Sequence, residues 1–234
     1  MRSVAAGPPE PPVRRVRWRP CSRIVPSRFP AIDLFARIAA MSDFDALNQV
    51  ESLTNERLRD ESGEVRHVAE ADRAMGPGSS YIMAPFVHAP PGGGRFTAPG
   101  QGAWYGARRL ETAIRETIHH RQVFMRATVE PATDLEMRVI EADLDGRLHD
   151  ILALREAWPD LYRADDYSAS QAFGARVRAG GSNGIVFTSV RHEGGECVSV
   201  FRPRLLRNAR ASEYLLYRWN GERIIDVLRL THSI

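Results

Sequence analysis

The chain has 234 residues, with 32 basic and 29 acidic side chains; every basic one is arginine, and the formal charge is +3. Without lysine there is no Schiff-base chemistry and no phosphate-loop lysine. Residues 1–40 hold eight arginines against Glu10 and Asp33, a charge of +6, so residues 41–234 hold 24 arginines against 27 acids, a charge of −3; a broadly basic nucleic-acid-binding domain is disfavoured, and no direct nucleic-acid binding is expected.

Residues 1–17 are rich in Arg and Pro, with Pro8, Pro9, Pro11 and Pro12 close together, and read as a disordered lead ahead of one domain over 18–234. Residues 22–25 (SRIV) read as a short strand. Residues 31–40 and 43–58 read as helices, the second with Phe44, Leu47 and Val50 near helical spacing and Asp43 as a possible cap. Residues 75–103 are dense in Gly and Pro and read as one long loop, either functional or a connector.

The clearest helix is 108–121, in which Leu110, Ala113, Ile114, Thr117 and Ile118 form an apolar stripe with Glu116 on its flank. His119 and His120 would end it, where they complement the helix dipole. Residues 137–144 read as a strand. Residues 168–179 read as a helix, capped by Ser168 or Ser170 and stopped by Gly180–Gly181. Strands at 184–190 and 197–201 flank an HEGGE turn. Asn220–Gly221 between apolar runs is a hairpin signal, its last strand serving as core or interface. Strands and helices mix without regular alternation, so the fold class is α+β in a single domain.

Several chemistries have no motif here. No dinucleotide-binding glycine fingerprint, phosphate loop, zinc-protease helix or nucleophile elbow occurs. His192, Glu193, Glu196 and Cys197 lie close together but match no common zinc spacing, so no metal is expected. Two cysteines, Cys21 and Cys197, make no disulfide framework, and no run of 18 apolar residues spans a membrane. The N-terminus has no apolar leader core, and a cytoplasmic location is the expectation.

Three local features carry chemistry. Gly92–Gly93–Gly94 places Arg95 on backbone that can approach a ligand closely, and a guanidinium fork suits a phosphate. Trp104–Tyr105–Gly106–Ala107 leads into the helix that carries Glu116. Thr188–Ser189–Val190–Arg191 ends a buried strand.

In order and spacing, the segments WRPCSRIVPSRFP, ESLTNERLRDE, SSYIMAPFVH, GGGRFTAPGQGAWYGARRLETAIRETIHHR, DDYSASQAFG, SNGIVFTSVR and GGECVSVFRPR resemble the RES-domain family, the toxin component of Xre–RES toxin–antitoxin pairs. The resemblance covers roughly residues 18–225. It implies a fold like that of ADP-ribosyltransferases, with a mixed β-sheet core and surrounding helices, and NAD⁺ as substrate rather than as a bound cofactor. The family's arginine falls on Arg95, its tyrosine on Tyr105, its glutamate on Glu116 and its serine on Ser189, with Arg23 a further matching arginine.

The implied reaction is loss of NAD⁺ at the nicotinamide–ribose bond, with water or inorganic phosphate as acceptor. ADP-ribosyl transfer to a protein is the alternative, and a non-enzymatic nucleotide- or antitoxin-binding module the second. In this reading Arg95 and Arg23 pair with the pyrophosphate and Glu116 stabilises the ribosyl cation. Tyr105 stacks on nicotinamide or that cation, and Ser189 orients ribose or phosphate. An Xre-type antitoxin and a homodimer are the implied protein partners.

Overall fold

The computed structural model describes residues 10–27, 65 and 68–230; the expected helices over 31–40 and 43–58 lie outside them. Among the described residues there are seven strands and three α-helices. They run β1 (Val13–Pro26), α1 (Ser79–Val87), β2 (Trp104–Ala107), α2 (Leu110–Ala127), β3 (Thr133–Asp150), α3 (Ser168–Ala179), β4 (Gly184–Thr188), β5 (Glu196–Val200), β6 (Leu206–Trp219) and β7 (Ile224–Leu230). The fold is α+β, as expected.

The sheet order is β1-β2-β5-β4-β3-β6-β7, and β1 also pairs with β3. Five strands therefore form a closed circuit, from which β6 and β7 extend on the β3 side. All pairings are antiparallel except the short β3–β4 contact, where His149 and Asp150 run parallel to Ile185 and Val186.

Alternation along the strands gives the sheet two apolar faces. Val186, Val198, Val200, Ile140, Ala142 and Leu144 pack on one side with Ile82, Met83 and Phe86 of α1. Ile185, Phe187, Met137, Val139, Leu215 and Tyr217 pack on the other with Ala113 of α2 and Phe173 and Val177 of α3. Helices thus cover both faces, which satisfies a sheet that is hydrophobic on each.

Several expectations need correction. The disordered lead over 1–17 fails at its C-terminal part: β1 begins at Val13, and its register runs Val13↔His149 to Arg17↔Asp145. The physical cause is a period-two pattern, with Val16 and Trp18 buried between exposed Arg15, Arg17 and Arg19. The loop over 75–103 contains α1, which buries Ile82, Met83, Phe86 and Val87 despite Pro85 within it. Helix α2 continues to Ala127, so His119 and His120 lie mid-helix rather than at its end. Neither Ser168 nor Ser170 caps α3 with its side chain; Asp166 does the work, accepting from the Ser168 N–H at 2.9 Å and from its hydroxyl at 2.6 Å. The Asn220–Gly221 hairpin forms as read, with Asn220 Oδ1 accepting from the Glu222 and Arg223 N–H groups.

Candidate active site

Glu116, Arg95, Tyr105 and Arg23 line one cleft of about 460 Å³ between β1, β2, the 90–97 loop, α2 and α3's N-terminal end. Arg95 precedes Phe96, which is fully buried and meets the rings of Phe173 and Phe187 edge-on at 6.2 and 4.9 Å. Gly174 on α3 lets that backbone approach: a Cβ there would lie 2.1 Å from the Phe96 carbonyl oxygen.

Arg95 is itself 8% exposed. Its Nη1 donates to the carbonyls of Leu161 and Arg163 at 3.2 and 2.8 Å, and its guanidinium lies 4.5 Å from the Tyr167 ring centre. Among the described residues no carboxylate is bonded to it. A buried cation held only by carbonyls and an aromatic face lacks charge compensation, so an anion in the cleft is favoured. Arg23 repeats the arrangement from β1. Its Nη1 donates to the Tyr105 carbonyl at 3.1 Å and its guanidinium lies 5.5 Å from the Trp104 ring. Burial lowers its pKa to about 10, which leaves it charged at neutral pH.

Tyr105 uses its hydroxyl structurally. The oxygen accepts the Phe96 N–H at 2.9 Å and lies 3.2 Å from Thr97 Oγ1. Burial raises its pKa, so it stays a neutral phenol. Gly94 makes room for the ring, since a Cβ there would sit 2.6 Å from the Tyr105 oxygen. Tyr105 thus fastens the loop that carries Arg95 while its ring faces the cleft.

Ser189 is 1% exposed. Its hydroxyl donates to Glu116 Oε1 at 2.6 Å and accepts the N–H groups of Arg191 and His192 at 3.0 and 2.9 Å. A hydroxyl has one proton and two lone pairs, so this one is saturated. It acts through Glu116, fixing the carboxylate at the cleft wall.

Sequence reasoning gave no site role to Tyr167, Thr117, His120 or Arg121, and named Arg191 only as the last residue of the feature that carries Ser189. Thr117, His120 and Arg121 fall on the cleft-facing stripe of α2 at helical spacing from Ala113. Tyr167 is a cleft residue of the DDYSASQAFG segment. Arg191 sits just outside, its Nη2 reaching His119 Nε2 at 2.7 Å, the Ala164 carbonyl at 2.6 Å and Asp165 at 3.0 Å. His119 accepts that bond as a neutral ring, and burial followed by the Arg191 charge lowers its pKa accordingly.

The HEGGE turn does not gather ligands. His192 Nδ1 is 2.9 Å from Thr112 Oγ1, Glu196 pairs with Arg108, and Cys197 faces the cleft. Among the described residues no group of three His, Cys, Asp or Glu side chains could hold a metal, and no helix is long and apolar enough to cross a membrane.

Three comparisons bear on this arrangement. Protein y4oC of Sinorhizobium fredii, an uncharacterized protein, is 27% identical over 208 residues, covering 86% of this chain and 84% of its own. The crystal structure of the M. tuberculosis MbcT–MbcA toxin–antitoxin complex contains a chain that superposes with a TM-score of 0.46 at 16% identity, over 89% of this chain and 87% of that one. A family model described as the RES domain matches residues 70–220, a stretch that contains Arg95, Tyr105, Glu116 and Ser189 and leaves Arg23 outside. With nearly two thirds of its length matched, this chain belongs to the RES-domain family.

Proposed function

We propose that this protein is the toxin of a toxin–antitoxin pair and consumes NAD⁺ by cleaving its nicotinamide–ribose bond. The observation that supports this reading best is the pairing of opposite functions in one cleft: two guanidiniums without carboxylate partners, the buried Arg95 and the half-buried Arg23, and one carboxylate, Glu116, locked by Ser189. Family membership supports the toxin assignment.

NAD⁺ presents a pyrophosphate with two negative charges and a ribose whose C1′ bears a cationic leaving group. Arg95 and Arg23 bind the pyrophosphate through charge-assisted bonds. The C1′–N bond breaks with both electrons leaving on neutral nicotinamide, and the ribosyl carbon becomes oxocarbenium-like. Glu116 stabilises that charge, and a carboxylate already oriented needs no reorganisation in the transition state. Water or inorganic phosphate then adds to C1′; with water, the products are ADP-ribose, nicotinamide and a proton. An antitoxin of the Xre type is the proposed partner, relieving toxicity by covering this cleft.

The test is to incubate the protein with NAD⁺, with and without phosphate, and weigh the products. ADP-ribose identifies water as acceptor and ADP-ribose 1″-phosphate identifies phosphate. Mass added to protein identifies transfer instead, and an untouched NAD⁺ pool overturns the reading.

A further inference from the structure

A second concavity lies apart from the cleft. A hollow of about 670 Å³ is lined by Arg15 and Arg19 of β1, Asp143, Asp145 and Arg147 of β3, and Arg204 and Arg207 around the start of β6. It shares no lining residue with the cleft. Five guanidiniums against two carboxylates give it a local charge of +3.

Its internal pairing leaves much of that charge free. Arg15 is held by Asp145 through two bonds of 2.7 and 2.9 Å, and Arg204 reaches out to Asp72 at 3.0 Å. Asp143 accepts from Asn208 at 2.9 Å. Among the described residues Arg19, Arg147 and Arg207 form no ion pair, and all three are exposed. Beside the hollow, and sharing Arg15 with it, lies a second one of about 470 Å³ lined by Arg14, Arg17 and Arg108, which pair with Asp150, Asp145 and Glu196, and by the largely buried Trp18. Along β1 the side chains of Arg15, Arg17 and Arg19 leave the same side of the strand, so they repeat at about 7 Å.

We infer that this arginine face docks an acidic segment of a partner protein in extended conformation. Alternate side chains of an extended peptide also repeat at about 7 Å, so carboxylates at every second position meet the arginine row in register. The guanidinium fork suits carboxylate bidentately. Phosphate backbone fits less well. Asp143 and Asp145 stand within the lining and would oppose a continuous polyanion, whereas a peptide can place a neutral or basic group there. The lining offers no aromatic ring on which bases could stack.

The probe is a fluorescein-labelled ten-residue peptide of alternating Glu and Gly, followed by anisotropy at 50 mM salt against the full chain. The expected result is saturable binding that weakens at least tenfold in the double variant Arg147→Glu/Arg207→Glu and severalfold in the milder Arg147→Gln/Arg207→Gln. Reversal of two exposed arginines elsewhere, Arg218→Glu/Arg223→Glu, shifts it less than twofold. Circular dichroism confirms that the variants fold, and NAD⁺ consumption by the first double variant stays at the wild-type rate. The inference is overturned if the peptide does not saturate, if the distant reversal weakens it equally, or if a single-stranded oligonucleotide of equal charge binds as tightly.

Discussion

Replacing Ser189 by Ala removes one oxygen atom and separates two consequences. The hydroxyl donates to Glu116 Oε1 at 2.6 Å and accepts two backbone N–H groups. A hydrogen bond to a charged group contributes about 1.5–3 kcal/mol. If that amount holds Glu116 in its transition-state position, each 1.36 kcal/mol is tenfold in rate, so kcat for NAD⁺ loss falls about 10- to 100-fold. KM changes little, because the anion clamp on Arg95 and Arg23 is untouched. The stranded N–H groups of Arg191 and His192 cost a further 1–3 kcal/mol or so of stability, about 2–12 °C in Tm for a chain of this size. Steady-state kinetics and a thermal melt on the same preparation read both. A variant that melts lower yet turns over NAD⁺ at the wild-type kcat refutes the idea that Ser189 serves Glu116.

Glu116→Gln keeps the shape of the side chain and removes its charge; it is expected to fold normally and lose NAD⁺ consumption, as is Arg95→Ala, and product formation near the wild-type rate in either variant counts against the cleft assignment. Arg191→Ala frees the 164–165 backbone that follows the carbonyl shelf of Arg95, so KM for NAD⁺ should rise about tenfold, more than kcat falls, and an unchanged KM removes Arg191 from the positioning network. Gly174→Ala drives a methyl group against the Phe96 carbonyl; overpacking of this kind costs about 3 kcal/mol, read as a Tm drop of about 6–12 °C, and an unchanged Tm contradicts the packing described. Burial pushes the Cys21 thiol up to about 12 from 9.0 and raises Cys197 as well. Between those values the unfolded chain has released a proton that the folded one keeps, so stability is full below pH 9 and declines as pH rises towards 12. Denaturant titrations at pH 8 and 10.5 check this, and equal midpoints contradict it.

Much of the fold is legible where local signals agree with packing. The 168–179 helix runs between the residues expected because a serine-rich start and two glycines at Gly180–Gly181 bound it, and the Asn220–Gly221 turn is written in the dipeptide itself. The Arg- and Pro-rich start of β1 hides its strand, since arginine at alternate positions looks like solvated charge until Val16 and Trp18 find β3 more than a hundred residues away. Helix α1 hides behind Pro85 and the surrounding glycines because its stability comes from burying Met83 and Phe86, which is a tertiary fact. Ordered motifs single out Arg95, Tyr105 and Glu116, which line the cleft, and Ser189, which stands behind Glu116, whereas Tyr167 and Arg191 lie within the same quoted segments with nothing local to mark their contacts. Their significance lies in what they touch across the chain.

The closed circuit of strands also dictates when the cleft can exist during synthesis. Arg23 arrives with β1, Glu116 with α2, and Ser189 only after β4; β5, which lies between β2 and β4, is made last of these. Until about residue 200 has emerged, β2 lacks one neighbour and Glu116 lacks its anchor. At about 5–20 residues per second, the 84 residues between Glu116 and Val200 take about 4–17 s, during which a nascent chain carries the earlier pieces of the cleft without the geometry to use them. Such long-range closure also makes for slow folding. In a chain of this architecture the cleft is therefore completed only near the end of synthesis, and none of its earlier pieces can act alone before then.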